Sequence, residues 1–156
     1  MRWLLLLLSI LIPCQAGAQR SVENIHREVL DNGLTLIVAE DRSAPRVAVH
    51  LWYRVGSVED PLGRSGFAHL FEHLMFRGSE NAPDDYWADM RRIGATDTNA
   101  GTAPDRTTYF QTVPTGALEY VLWREADRMA ALTPMVTQKT LNSERAVVEN
   151  ELRLRA

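Results

Sequence analysis

An almost wholly apolar segment, Phe67 to Phe76, carries three polar side chains close together: His69, Glu72 and His73. Glycines flank the segment on both sides, which predicts a helix between them. On a helix, residues four apart lie one turn apart on the same face, so the two imidazoles can reach one point. Drawing such groups among apolar side chains is costly unless a partner satisfies them. The fold must therefore supply that partner.

The spacing of these residues is the inverted form, His-x-x-Glu-His, of the His-Glu-x-x-His zinc motif. Glu72 lies beside His73, so its carboxylate can border the same ion without being a ligand. A hydrolytic zinc site uses three protein ligands and keeps a position for a water, whose pKa falls toward about 7 and whose proton a carboxylate accepts. The motif predicts such a site, with Glu72 as general base. The alternative is two surface histidines with Glu72 in local ion pairs.

A third zinc ligand must come from elsewhere, and the last predicted helix offers Glu144, Glu149 and Glu151. At about 100° per residue from Leu141, Glu144 and Glu151 fall at about −60° and −80°, while Glu149 falls at about +80°, off the apolar face. Glu144 and Glu151 are therefore better placed to reach a buried ion. The alternative is solvated helix charge, with Glu151 paired to Arg155 four residues later.

Hydrophobic periodicity predicts three strands, two helices, two strands and two helices. Asn32-Gly33 favours the tight turn of a hairpin between the first two strands. The predicted strands are 28–30, 34–39, 47–55, 95–102 and 106–113. The predicted helices are 67–76, a short one from about 83 to 94, one through the apolar residues from Leu118 to Leu132, and a last one through Leu141, Val148 and Leu152 that no Gly or Pro closes. This order predicts an α+β layered domain with a largely antiparallel sheet packed by helices.

The N-terminus has the pattern of a secretory signal peptide over residues 1–18: a positive start, a short apolar run and the small residues Ala16-Gly17-Ala18. We therefore expect a periplasmic or secreted protein. An uncleaved membrane anchor is the alternative, although an apolar run of about ten residues is too short to span a bilayer as a helix. A lipoprotein attached through Cys14 is disfavoured by Pro13.

Cleavage after Ala18 would leave residues 19–156 as one metal-binding domain with 16 basic and 20 acidic residues, a net charge of −4. That charge makes nucleic acid an unfavourable partner, and no later segment is long enough to span a membrane. The remaining chain has no cysteine, so disulfides and thiolate metal sites are excluded. Any metal must be held by His, Asp or Glu.

These residues together resemble the pitrilysin and insulin-degrading-enzyme family of zinc metallopeptidases, which includes the mitochondrial processing peptidases. The resemblance covers nearly all of the chain after the signal peptide. Beyond the histidine motif, it rests on Gly56-Ser57, Glu59, Gly66, Phe76, Gly78, Asn99-Ala100, Thr102, Asp105, Thr108-Tyr109, Glu125-Ala126-Asp127-Arg128-Met129, Glu144-Arg145, Val148 and Asn150-Glu151. The fold it implies is that of LuxS and the processing peptidases.

The resemblance implies one zinc ion per chain, held by His69, His73 and Glu151. It also implies that Glu72 is the general base and that Glu144 is a carboxylate supporting the metal ligands. A zinc-dependent metalloendopeptidase activity follows from the same resemblance.

Asn99 and Ala100 match residues that hold the substrate backbone near the metal in that family. The alternative for Asn99 is a polar residue at a strand end. The implied substrates are peptides or unfolded polypeptides that lie extended beside a sheet edge, where main-chain hydrogen bonds give affinity.

Family members have a longer domain and at least one further homologous domain, whereas this chain stops at Ala156 inside a predicted helix. The sequence therefore predicts a domain incomplete at its C-terminus, completed by a second homologous domain or subunit. Two other functions stay open: a non-catalytic zinc-binding or assembly subunit, and an inactive truncated remnant.

Overall fold

The computed structural model describes residues 25–155, and the predicted signal peptide lies outside them. The chain is an α+β protein whose strand pairs are all antiparallel, which confirms the predicted fold class. Its elements, in chain order, are β1 (Ile25–Val29), β2 (Thr35–Ala39), β3 (Arg46–Tyr53), α1 (Phe67–Leu74), α2 (Tyr86–Arg92), β4 (Thr96–Thr102), β5 (Thr107–Pro114), α3 (Leu118–Ala131) and α4 (Gln138–Arg155). The order matches the prediction, and the chain divides into two compact units between Ser43 and Ala44.

The first unit contains the predicted hairpin. β1 pairs with β2 in antiparallel register, from Ile25 opposite Ala39 to Val29 opposite Thr35. The turn is closed by Asn32, whose side-chain oxygen accepts the Leu34 amide at 3.0 Å. This local hydrogen bond is the one that Asn offers in tight turns.

The second unit is built on a three-stranded sheet in the order β3-β5-β4. Along the central strand β5, alternate residues Thr107, Tyr109, Gln111 and Val113 are buried, so one face of the sheet packs against the rest of the unit. β4 pairs with β5 on one side, and no strand in residues 25–155 pairs with its other side. β4 contacts α1, the helix that carries the two histidines.

The core of this unit joins the sheet to α2 and α3. Its buried apolar members are Val49, Tyr86, Met90, Val113 and Val121. None of the helices in the described part of the chain is long and apolar enough to cross a membrane.

Helix α3 buries charge as well as apolar side chains such as Val121. Leu122 and Met129 are about half exposed, whereas Arg124, Glu125 and Arg128 are almost fully buried. The Arg128 Nε donates to Glu125 Oε2 at 2.7 Å, within one turn of the helix. Charged groups at this depth are tolerated because they are paired with one another.

Aromatic rings and amides complete this buried network. The Arg128 guanidinium lies 4.3 Å from the ring centre of Tyr109 and 4.5 Å from that of Tyr86. Glu125 Oε1 accepts hydrogen bonds from the Tyr86 hydroxyl at 2.5 Å and from Gln111 Nε2 at 3.0 Å. The network therefore ties α3 to α2 and to the central strand.

Helix α1 begins without a capping side chain of its own, because Gly66 occupies the N-cap position with a φ of 89°. Asp60 supplies the cap from six residues upstream. Its Oδ2 accepts the Gly66 amide at 2.7 Å and its Oδ1 accepts the Ala68 amide at 2.8 Å. A carboxylate at a helix N-terminus also interacts favourably with the helix dipole. Asp60 thus fixes the start of the helix that carries the histidines.

We expect Asp60→Ala to lower the free energy of unfolding by about 1–2 kcal/mol, because two amides at the start of α1 lose their acceptor. Urea unfolding followed by circular dichroism measures the change. Asp84→Ala, which removes an exposed carboxylate in the loop before α2, is the matched control and should stay within about 0.5 kcal/mol of the parent. Equal stability of the Asp60 variant and the parent would contradict the capping role.

Burial raises the pKa of Tyr53 to about 12, above its ordinary value of 10.0. The folded chain therefore keeps the phenol proton in a range where the unfolded chain loses it. The resulting stabilisation is complete below pH 10 and is lost as the pH rises from 10 to 12. Tyr86 and Tyr109, whose pKa values burial also raises, act in the same direction.

We expect Tyr53→Phe to lose less stability than the parent between pH 10 and pH 12, as measured by urea unfolding at both values. Among the described residues nothing hydrogen bonds to the buried Tyr53 hydroxyl, so the variant should be at least as stable as the parent at pH 7. Tyr86→Phe is the matched comparison, and it should be less stable by about 1.5–3 kcal/mol because its hydroxyl donates to Glu125. A destabilised Tyr53→Phe at pH 7 would contradict this account.

Candidate metal centre and its cleft

Helix α1 presents His69 and His73 on one face, as their spacing predicts. Their Nε2 atoms lie 3.2 Å apart, and the two rings meet edge to face with centres 4.8 Å apart. Both side chains are largely buried, at 14% and 18% exposure. Two ring nitrogens therefore point to one place near the protein surface.

Helix α4 brings Glu151 to the same place. Its Oε2 lies 3.3 Å from His69 Nε2 and its Oε1 lies 3.7 Å from His73 Nε2. The helices approach closely at Gly66, where an added Cβ would lie 3.7 Å from the Leu152 side chain and 3.9 Å from that of Val148. The carboxylate of Glu151 thus faces both imidazoles across the helix pair.

Glu144, two turns before Glu151 on α4, lies on the other side of His73. Its Oε2 is 3.3 Å from His73 Nδ1. Its Oε1 accepts two donors from Arg77, with the Nε at 2.6 Å and the Nη2 closer still. Only 4% of the Glu144 side chain is exposed. Glu144 therefore faces Nδ1 of His73, and the other ring nitrogen, Nε2, faces His69.

Glu72 is buried beside the histidines but is held by the sheet. Its Oε2 accepts a hydrogen bond from the Thr102 hydroxyl, at the end of β4, at 2.6 Å. One ligand atom each of His69, Glu72 and His73 lies within 4.8 Å of the others, so Glu72 competes with Glu151 for the third position. Glu151 approaches both rings to 3.7 Å or less. One Glu72 oxygen is bonded to Thr102, and both Glu151 oxygens face the imidazoles, so Glu151 and Glu72 are the two candidates for a third donor.

A cleft of about 550 Å³ opens in front of these groups. One wall is the free side of β4, where Asn99 and Ala100 lie, and Trp87 and Phe76, stacked with ring centres 4.7 Å apart, form part of another. The Ala100 amide donates to Asn99 Oδ1 at 2.9 Å, and Ala100 lies opposite Tyr109 of β5. A register shift between β4 and β5 precedes Asn99. Such irregularities bend a strand, here at the point where β4 enters the cleft.

Residues 35–154 match the model of the insulinase family, peptidase family M16. This chain belongs to the insulinase family. The match spans the strand β2, both site helices and the whole sheet of the second unit.

Comparison with individual insulinase-family relatives shows what share of their length this chain covers. It is 36% identical over 124 residues to Protease 3 of Escherichia coli, in an alignment that covers 79% of this chain and 13% of that protein. It is 39% identical over 83 residues to the A-factor-processing enzyme of Saccharomyces cerevisiae, covering 52% of this chain and 8% of that protein. The chain thus spans a small part of the length of the relatives it matches.

Solved structures of proteases superpose on the same region. A protease from Helicobacter pylori matches with a TM-score of 0.77 and 30% identity, over 85% of this chain and 31% of that one. Pitrilysin matches with a TM-score of 0.75 and 32% identity, over 85% of this chain and 14% of that one. The α+β arrangement of this insulinase-family chain is therefore shared with those peptidases.

The structure brings together all of the residues that the sequence singled out for the metal centre, and it leaves Glu149 exposed on the other side of α4. Three contributors were missed: Asp60, which caps α1, Arg77, which holds Glu144, and Thr102, which holds Glu72. Each acts on a partner at least six residues away along the chain, so no local pattern points to its role. Thr102 had entered only as one residue of the family resemblance.

Proposed function

We propose that this chain carries the metal-binding half of an exported zinc metalloendopeptidase. His69, His73 and Glu151 would hold one zinc ion, and Glu72 would be the general base. The observation that carries the proposal is the convergence of two imidazole nitrogens and one carboxylate from α1 and α4, at separations of 3.2, 3.3 and 3.7 Å.

The spacing of these donors fits zinc. Donors about 2.0–2.1 Å from a tetrahedral zinc ion lie about 3.3–3.4 Å from one another. The observed separations lie close to that value, and the donor set of two His and one carboxylate is one that catalytic zinc sites use. Glu144 facing His73 Nδ1 is the supporting contact that ligating histidines commonly have.

A bound zinc ion would supply Lewis-acid polarisation of the scissile carbonyl and would acidify a water beside it. Glu72 is placed to do the proton transfer. Because Thr102 fixes its Oε2, the other oxygen is left to accept a proton from the water as the water oxygen bonds to the carbonyl carbon. The same proton then passes to the amide nitrogen as the C–N bond breaks, which gives a carboxylic acid and an amine, and the acid proton then moves to the amine at neutral pH.

The substrate would lie along the free side of β4. An extended peptide paired there would use the main chain of Asn99 and Ala100, which border the metal centre. Recognition through main-chain hydrogen bonds suits peptides and unfolded polypeptides, because their main-chain groups are free to pair in an extended conformation. Asn99 is exposed, so its side chain is also available to such a substrate.

Export rests on the signal-peptide pattern of residues 1–18, which lie outside the described residues. A periplasmic or secreted location follows from it. Because the chain spans 13% of Protease 3, we propose that a second homologous domain or subunit supplies the remaining substrate contacts. The same fact favours a second candidate function, a non-catalytic zinc-binding or assembly subunit.

We expect the purified full chain to bind one zinc ion, and Glu72→Gln to bind it equally well while peptide cleavage falls by about 10²–10⁴-fold. Metal analysis gives the stoichiometry, and a quenched fluorescent library of unstructured peptides gives the rate. Undiminished cleavage by the Gln variant would contradict the base assignment. Zinc binding by the parent with no cleavage of any peptide would favour the non-catalytic function.

Glu151→Gln should weaken zinc binding by more than about 100-fold, because the loss of a ligand should exceed the 10–100-fold typical of a supporting residue. Competition with a chromophoric chelator measures the dissociation constant. Glu149→Gln is the matched control, since it removes the same charge two residues away on an exposed part of α4. Similar zinc affinities of these two variants would show that Glu151 is not a ligand.

A further inference from the structure

We propose that Arg77 is a positioning residue of the metal centre, which acts through Glu144 on His73 and sets how tightly the chain holds its metal. The inference rests on the proposed zinc site. Neither the sequence nor the family resemblance gave Arg77 a role, and within residues 25–155 the hydrogen bonds of its side chain go to one atom, Oε1 of Glu144.

The burial of Glu144 makes a cationic partner necessary. With 4% of its side chain exposed, a carboxylate loses nearly all of its hydration and needs paired, hydrogen-bonded charge in return. Arg77 supplies both, because its Nε and Nη2 donate to the same oxygen, Oε1. The planar guanidinium holds the carboxylate in one orientation, which the single ammonium group of a lysine does less well.

The fixed orientation leaves the second oxygen of Glu144 for His73. Glu144 Oε2 lies 3.3 Å from His73 Nδ1. A proton on Nδ1 facing this oxygen leaves the lone pair of a neutral imidazole on Nε2. That is the atom that faces His69 and Glu151. Arg77 thus acts through Glu144 to favour the tautomer of His73 whose Nε2 can bind a metal.

The backbone around Arg77 makes its position well defined. Arg77 follows α1 directly and its amide donates to the Leu74 carbonyl at 3.0 Å. Gly78 then turns the chain with a φ of 97°, and a Cβ there would lie 2.8 Å from the Pro83 carbonyl oxygen. Arg77 is therefore held between the end of α1 and a tight turn. Its pairing with Glu144 also ties α1 to α4, the helix that carries Glu151.

Formal charges support the same role. Four carboxylates line this cleft, those of Glu72, Asp85, Glu144 and Glu151. One divalent cation would offset two of these negative charges, and Arg77 offsets a third. Within the set of residues that line the cleft, Arg77 is the one arginine or lysine.

The test is the zinc dissociation constant of the full chain and of Arg77→Met, measured by competition with a chromophoric chelator. We expect the variant to bind zinc about 10–100-fold more weakly than the parent, the range for loss of a supporting residue. Arg77→Lys keeps the positive charge but lacks the paired donors of the guanidinium, so its zinc dissociation constant should lie between those of the parent and Arg77→Met. Arg153→Met, which removes a 75% exposed arginine on α4, is the matched control and should bind as the parent does.

A double-mutant cycle separates this role from a general structural one. In the Glu144→Gln background, Arg77→Met should weaken zinc binding by less than about threefold, because the carboxylate through which it acts is gone. An equal loss in both backgrounds would overturn the inference. Circular dichroism of the metal-free chains checks folding, and Arg77→Gln replaces Arg77→Met with the same expectation if the Met variant does not fold.

Other results would overturn either the role of Arg77 or the zinc site itself. Parent-like zinc affinity of Arg77→Met would overturn the inference, and a raised peptide KM in the same variant would assign Arg77 to the substrate cleft instead. Failure of the parent to bind zinc would overturn the metal site itself and the inference with it. A parent that binds zinc while both Arg77 variants match it removes only the inference.

Discussion

The close approach of α1 and α4 is the constraint on which the site depends. The histidines and Glu151 are separated by more than seventy residues, and only the packing of these two helices brings their polar atoms to within 3.7 Å. Gly66 lies at this contact, where an added Cβ would make only ordinary contacts with Val148 and Leu152, and its φ of 89° is a conformation that favours glycine. Asp60 fixes the start of α1 and the Arg77–Glu144 pair joins its far end to α4. Both ends of the histidine helix are therefore held by charge.

The sheet and α3 provide a rigid support behind this helix pair. Thr102 at the end of β4 holds Glu72, and the buried Arg128 lies against the rings of Tyr86 and Tyr109. Phe76, just beyond α1, also packs on Tyr109. A group that takes and gives a proton needs a defined position more than it needs mobility. The buried network helps to fix that position, although it places charged side chains in the interior.

Much of the fold follows from local pattern, and the strand and helix order was predicted correctly. The helical period of α4 separates Glu144 and Glu151 from Glu149 without any knowledge of tertiary contacts, because the position of a residue on a helical wheel is a local property. Boundaries were less well predicted. Helix α1 ends at Leu74 rather than Phe76, since the last turn tightens to three-residue hydrogen bonds.

What the sequence could not show is which charges are buried. In α3, Leu122 and Met129 are half exposed while Arg124 and Arg128 are interior, the reverse of what hydropathy alone suggests. Their burial depends on partners in α2 and β5, and sequence spacing does not reveal such pairings. The same reason hid the role of Arg77, whose partner lies 67 residues away.

Anomalous diffraction at the zinc absorption edge, on crystals of the full chain grown with zinc, tests the central claim most directly. The account predicts one peak in the second unit, within bonding distance of His69 Nε2, His73 Nε2 and a Glu151 oxygen, with Glu72 beside it and still bonded to Thr102. A peak bonded to Glu72 in place of Glu151, or a peak away from the two histidines, would contradict it.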